Sequence, residues 1–446
     1  MILWGQTTLT GWGRTSRAAT SAARPHTLSA VQEAVQNSPA ILAHGLGRSY
    51  GDAALPTEAA RAILTDQLDQ LVSFDPQSGV LVAQAGVSFK TILETFLPRG
   101  WLIPVAPGTS FVTLGGAIAN NVHGKNHPVA GALSRHILWV EVLTADGRVC
   151  RFSRTENAPA FFATLGGIGL TGIIVQAALQ LTPAAGSCVA VTQHRCKNLE
   201  DLLAAFTSKP ERDDYAVAWL DALSGGAALG RSIFERAHIA PGNAPVRLDG
   251  GPVFPLDLPS FALNPLSIRL FNKVRYAWVG RANPTLSIVP HAQFFYPLDR
   301  IQHWNRMYGK RGFHQFQCVI PDAAAPQALP KLLEMISQSA RASFLAVLKR
   351  LGQEDENYLS YAMPGYVLAL DFPNSPGTPE FLSTLNKFTR DVGGRVYLAK
   401  DSTLTADDLA AMYPRLPDFK RVLAELDPQE KFTSRMAQRL GLRRTA

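Results

Sequence analysis

The run from Pro107 to His127 constrains the fold more than any other feature of this chain. Glycine, hydroxyl and other small residues follow one another almost without a break, and His123 and Lys125 close the run. A segment built this way lets backbone N–H groups approach a bulky polyanion, because no large side chain holds the ligand off. A second glycine cluster, Gly45-Leu46-Gly47-Arg48-Ser49-Tyr50-Gly51, lies upstream on the same N-terminal unit. Two phosphate loops on one unit point to a dinucleotide.

A nicotinamide-type βαβ turn does not fit that first loop. Its third glycine falls one place late at Gly51, and Pro56 stands where the phosphate-facing helix should already run. Proline inside a helix costs about 3 kcal/mol. The flanking pattern is one of short alternating strands and helices. Strands are expected over 41–43 and 80–83, and a helix from Ser88, with Phe89, Ile92, Leu93, Phe96 and Leu97 on one face and Gly100 as its stop. Asp146-Gly147 predicts a hairpin between 137–144 and 148–153. The glycines of 166–172 feed a strand over 173–181. From 186 to 394 the character changes to aromatic strands, among them 293–296 and 313–317, with a long proline- and glycine-rich loop over 240–265. A strand over 395–399 precedes a charged helical end.

A length of 446 residues favours two domains, and 46% apolar with 17% charged residues fits a well-filled globular interior. The N-terminus lacks the basic and apolar regions of an export signal, and no apolar run is long enough to cross a bilayer. The four cysteines are scattered, so a reduced, cytoplasmic chain without a metal site is expected. The net charge of +8 is dispersed and accompanied by no nucleic-acid motif. It suits an anionic small molecule, a membrane surface or plain arginine-rich composition, and no nucleic-acid partner is expected.

Taken in order, 43–52, 107–125, 166–174, 296–299, 304–306, 365–373, 393–402 and 412–415 resemble the FAD-linked oxidases of the vanillyl-alcohol oxidase superfamily, in particular the branch acting on polyprenyl-phosphoryl ribose. The resemblance covers nearly the whole chain. It implies an α+β fold: a two-subdomain PCMH-type FAD-binding domain (1–185, completed by 395–446) and an antiparallel-sheet substrate-binding domain (186–394). It also implies that Gly45, Leu46, Gly47, Arg48, Ser49, Tyr50, Gly51, Asp52, Gly108, Thr113, Leu114, Gly115, Gly116, Asn120, Asn121, Val122 and His123 line FAD. Gly172, Ile173 and Ile174 would meet adenine and Tyr397 the isoalloxazine. Several relatives tether the flavin through a histidine in the first loop. Here Arg48 follows Gly47 and cannot form that bond, so FAD is expected to be non-covalent.

Hydride removal from a secondary alcohol needs an acceptor for the hydroxyl proton and positive charge near the flavin. Lys400 is the candidate cation and His123 the candidate proton relay or sugar-orienting group, the two catalytic candidates. Lys125 and Lys349 would meet a substrate phosphate. Gln315 and Gln317 share one face of a strand and would bind hydroxyls, with Tyr50, Trp219 and Tyr296 as pocket walls. Taken alone, His123 reads first as a structural histidine, Lys400 as a surface lysine and the glutamine strand as solvent-facing; the resemblance is what favours the functional readings. Three positions depart from the branch: Ala369 replaces a cysteine, Val367 an asparagine and Val217 a polar residue. The reading that follows is oxidation of a polyprenyl-phosphoryl pentose to its 2'-keto form, completed by a partner keto-reductase. A free-sugar aldonolactone or alditol oxidase and a non-catalytic flavin-bearing subunit are the alternatives. The mixed apolar and basic segment 266–275, with Arg269, Lys273 and Arg275, is expected either to touch the inner membrane peripherally or to pack as an ordinary helix.

Overall fold

The computed structural model describes residues 2–208, 214–248, 251–259, 261–279, 284–341 and 344–444. The architecture is α+β. Near the N-terminus, Gly5–Thr10, Arg17–Ala23, Arg61–Leu64 and Ile41–His44 form a four-stranded sheet in that order. A second, antiparallel sheet runs Leu71–Asp75, Val80–Gln84, Ile173–Gln180, Ile137–Leu143, Val149–Ser153. The hairpin at Asp146-Gly147 forms with Gly147 at φ +83°, a conformation that glycine adopts without a Cβ penalty. The helix Phe89–Phe96 starts where Ser88 accepts the Thr91 N–H, and it buries Phe89, Ile92, Leu93 and Phe96 against this sheet. Such a face follows from apolar spacing of three and four residues.

The second half is one antiparallel sheet of eight strands. Its order is Thr285–Pro290, Cys188–Cys196, Ser232–Ala240, Tyr215–Leu220, Ala346–Leu351, Gly365–Pro373, Phe313–Pro321, Arg395–Val396. Helices Leu199–Thr207, Ala325–Ser339 and Thr378–Asp391 cover one face, where Ala218, Phe316, Cys318, Leu348, Leu368 and Leu370 join their core. Alternation along each strand sends the neighbouring side chains to the opposite face. Cys318 therefore points away from Gln315 and Gln317.

Two expected strands differ. Residues 293–296 lie mostly in a short helix, His291–Phe295, between Pro290 and Pro297. Its buried residues His291, Phe294 and Phe295 sit at helical spacing, and Pro297 could not have continued a strand ladder. The strand expected over 395–399 stops at Val396. Beyond it the chain turns, with the N–H groups of Lys400 and Asp401 donating to Tyr397 O at 2.9 and 3.2 Å.

The C-terminal segment closes back onto the N-terminal sheet. The Ile41 N–H donates to Lys431 O at 2.8 Å, and Arg443 pairs with Asp427 at 2.8 Å with both side chains buried. Arg439 reaches Asp52 at 2.7 Å and Asp401 at 2.9 Å, fixing the first glycine loop to the segment that carries Lys400.

Candidate active site

Between the N-terminal loops and the uncovered face of the large sheet lies a cavity of about 1050 Å³. Its first wall is mostly backbone. The strand Ile41–His44 ends at Gly45, whose backbone packs so tightly on Thr113 that a Cβ there would come 2.5 Å from Thr113 Oγ1. That hydroxyl caps the short helix Leu114–Ala119 by accepting the Gly116 N–H at 3.1 Å. At Gly108 a Cβ would meet nothing within 4 Å. The buried Oδ1 of Asn120 lines the same wall without a hydrogen-bond partner among the described residues. An open glycine cradle beside an unsatisfied polar atom fits a large ligand with phosphates and amides, as FAD is.

The second wall is made of side chains on the sheet. Val217, Trp219, Gln315, Gln317, Val347, Lys349 and Ala369 line it. The Tyr50 N–H donates to Ala399 O at 3.0 Å, which brings Lys400 beside the first loop, its Nζ 3.8 Å from the centre of the Tyr50 ring. The Lys125 ammonium donates to Phe294 O and lies 3.8 Å from the centre of the Phe294 ring. Tyr397 donates its hydroxyl to Asn120 O at 2.7 Å, and its ring centre lies 4.9 Å from that of His123.

Charge and burial set the chemistry of this wall. Burial pushes Lys400 down to about 7, with Asp371 opposing the shift and Lys349 adding to it. Burial likewise lowers Lys349 to about 8, and Lys125 to about 8 against the pull of Glu235. These are cations held away from bulk water, and an anionic ligand would restore them. His123 is held well below the usual histidine range, first by burial and then by Lys349, His127 and Lys400. It is therefore neutral near pH 7. Gln317 Nε2 donates to its Nε2 at 2.8 Å, which leaves the ring proton on Nδ1. Any proton arriving at Nε2 would displace that bond.

The cavity brings together Gly45, Leu46, Gly47, Arg48, Ser49, Tyr50, Gly108, Thr113, Gly115, Gly116, Asn120, Val122, His123, Gly172, Ile174 and Tyr397, together with Lys125, Trp219, Gln315, Gln317, Lys349 and Lys400. Six expected residues lie outside its lining. Gly51 backs onto Asp401 O, and Asp52 is committed to Arg439. Leu114 and Ile173 fill hydrophobic cores, and the Asn121 amide bonds Asp355 and Ser134 instead. Tyr296 is buried in the core against His291 and Phe295. Val367, one of the three departures from the branch, packs with Tyr361, Tyr397 and Ala399.

Other residues meet here: Glu235 and Asp371 were not singled out by the sequence, and Arg275 was expected at a membrane surface or on an ordinary helix. Arg275 stands at the cavity mouth, its guanidinium 5.0 Å from the centre of the Trp219 ring, and Glu235 lines the wall with Gln193 donating to it at 2.7 Å. Asp371 lies just behind Gln315. Its signal was legible: one carboxylate in an otherwise apolar strand, Gly365–Pro373. Glu235 gave no comparable signal, because only the strand order brings it toward Lys125.

Comparison with known proteins agrees with this geometry. A family profile described as FAD binding domain matches residues 21–153, and one described as D-arabinono-1,4-lactone oxidase matches 304–440. Decaprenylphosphoryl-beta-D-ribose oxidase of Mycolicibacterium smegmatis is 35% identical over 97% of this chain and 97% of its own. Alditol oxidase of a Streptomyces species is 24% identical over 96% of this chain and 97% of its own. The chain belongs to the PCMH-type FAD-linked oxidases, in the family that holds decaprenylphosphoryl-β-D-ribose oxidase, and FAD is its cofactor.

Proposed function

We propose that this enzyme oxidises a secondary hydroxyl of a phosphoryl-linked pentose, carried on a polyprenyl chain, to the 2'-keto sugar. The observation that carries this reading is the convergence of Lys125, Lys349 and Lys400 on one cavity. Three half-buried cations facing one cavity ask for anionic partners, which a phosphodiester and an electron-accepting cofactor both supply. FAD bound in the glycine-lined wall supplies the acceptor for the hydride. Lys349 and Lys125 hold the phosphate, while Gln315, Gln317 and Tyr50 orient the sugar. Lys400 offers positive charge where negative charge develops. His123, neutral and bonded to Gln317, positions the sugar and takes up a proton only by giving up that bond. The product is a ketone, which a separate reductase would convert to the epimeric alcohol.

FAD is held without a covalent bond in this reading, since Arg48 offers no nucleophile. Arg48 instead stacks over Trp12, 4.2 Å from the ring centre. Acid precipitation should release the flavin to the supernatant, and fluorescence left on the denatured chain would contradict this.

A polyprenyl tail also requires the enzyme to dock on a bilayer. Among the described residues no helix is long and apolar enough to cross one. The helix Pro265–Trp278 buries only Ile268 and Asn272, and exposes Leu266, Leu270, Phe271, Val274 and Trp278, the last 85% accessible. Leu286 and Ile288 of the neighbouring edge strand are also exposed, while Ser287 and Val289 of that strand line the cavity. Phe271 and Arg275 line the cavity too, so the apolar surface is continuous with its mouth. Arg269 and Lys273 flank it with charge, each adding about 1 kcal/mol on an anionic surface. The enzyme should float with anionic liposomes at low salt. Equal flotation after Arg269→Glu and Lys273→Glu would overturn the docking face.

Anaerobic flavin bleaching tests the substrate directly. Polyprenyl-phosphoryl ribose should bleach the enzyme, and free ribose, arabinonolactone and alditols should not. Faster bleaching by a free sugar would replace this reading with the alditol oxidase one.

A further inference from the structure

Asp371 is completely buried and lies outside the cavity lining, yet it touches the catalytic wall. In the sheet it stands directly opposite Gln315. Its Oδ1 accepts from Gln315 Nε2 at 2.6 Å, and its Oδ2 from the Tyr308 hydroxyl at 3.1 Å. On its other side the Gln315 amide meets the Tyr50 hydroxyl, and the Tyr50 ring carries the Lys400 ammonium at 3.8 Å. A carboxylate this deep, with two neutral donors, is costly unless a cation accompanies it.

We infer that Asp371 is a positioning residue for this site: it turns the Gln315 carbonyl toward Tyr50 and the cavity, and it is the counter-charge that keeps Lys400 an ammonium. The inference rests on the reading that Lys400 acts on the flavin. One of the two amide N–H donors of Gln315 is committed to Asp371, which fixes the amide plane and turns its oxygen away from the carboxylate, where it can accept from a hydroxyl. The charged and titratable groups around the pair are few. Lys349, on the strand Ala346–Leu351, repels Lys400, His123 feels the charge of both lysines, Tyr50 also feels Arg48 and Asp299, and Tyr308 donates to Asp371. Asp371 is the carboxylate acting on Lys400. Burial drives the two in opposite senses, the carboxyl up to about 7 and the amine down to about 7. Each favours the charged form of the other, so removing Asp371 makes Lys400 easier to deprotonate.

The test is the flavin midpoint potential of the holoenzyme, measured by reductive titration from about pH 6 to about pH 9. It needs no substrate, so it is independent of which sugar is oxidised. An ammonium near the flavin favours its reduced form and raises the potential. In Asp371→Asn the potential should fall at neutral pH, and the pH at which the lysine's contribution fades should move down by about one unit, a tenfold loss of proton affinity. Tyr308→Phe, which keeps the ring and weakens the carboxylate, should move it the same way by less. Lys400→Met should lower the potential and abolish this pH dependence. A shift in Lys400→Met with none in Asp371→Asn or Tyr308→Phe overturns the inference alone. No change in Lys400→Met overturns the flavin role of Lys400 and the inference with it.

Discussion

The glycine-rich wall of the cavity and its sheet wall differ in what they present to a ligand, and the difference separates two tasks. The first offers backbone: Gly45, Gly108, Gly115 and Gly116 bring main chain to the cavity with no side chain in the way, and the Thr113 cap fixes the short helix behind them. It has little to titrate and depends on close approach. The second offers side chains: Trp219, Gln315, Gln317 and Lys349 stand on strands, Lys125 comes from the end of the glycine run and Lys400 from the turn after Val396, and the three lysines are shifted into the range of physiological pH. Side chains projected from a sheet keep their spacing while their charge responds to a ligand. In the reading proposed above, the backbone wall holds the cofactor, and the sheet wall binds the substrate and drives the reaction.

The largest expected effect lies on the sheet wall. Lys400→Ala should keep FAD yet slow anaerobic flavin reduction by about 100-fold or more, the loss typical of one preorganised electrostatic donor. Near wild-type reduction would remove Lys400 from catalysis and blur the division between the walls.

Next comes pH. The lysines of the empty site lose their protons as pH rises through about 7 to about 8, and a bound phosphate raises their affinity for those protons. Affinity for a phosphate-bearing substrate should therefore be flat below this window. Above it, affinity should fall by up to about tenfold per pH unit for each lysine that must recharge. Titrating the dissociation constant in wild type and in Lys349→Met checks this, the variant showing the shallower slope. Equal slopes would take Lys349 out of phosphate binding.

The smallest effect lies on the backbone wall. In Gly45→Ala the new methyl group would press on Thr113 Oγ1 and loosen the cap on Gly116. A lost cap costs about 1 kcal/mol, or roughly fivefold in FAD affinity if the cradle loosens with it. Unchanged FAD affinity would show that the cap does not shape the cradle.

This contrast also explains what could be read from the sequence. A backbone wall is written in contiguous glycines, so its loops, the hairpin at Asp146-Gly147 and the helix after Ser88 were legible from local pattern. The sheet wall is assembled by strand order. Gln315 and Gln317 could be assigned to one face by alternation, but nothing local placed Asp371 behind them or Arg275 over Trp219. Tyr296 failed for a related reason. Its aromatic run looked like a strand, whereas the prolines on either side enforce a short helix that turns the tyrosine into the core. Gly51 and Asp52 belong to the glycine loop by sequence, yet Asp401 and Arg439, far along the chain, claim them for structure.

The division of labour is tested most directly by measuring FAD dissociation and FAD-saturated anaerobic reduction side by side in Gly45→Ala and Lys400→Ala, with polyprenyl-phosphoryl ribose as reductant. The account predicts opposite losses: weaker FAD binding with a near-normal saturated rate in the first, and normal FAD binding with a collapsed rate in the second. Parallel losses of both quantities in both variants would contradict it.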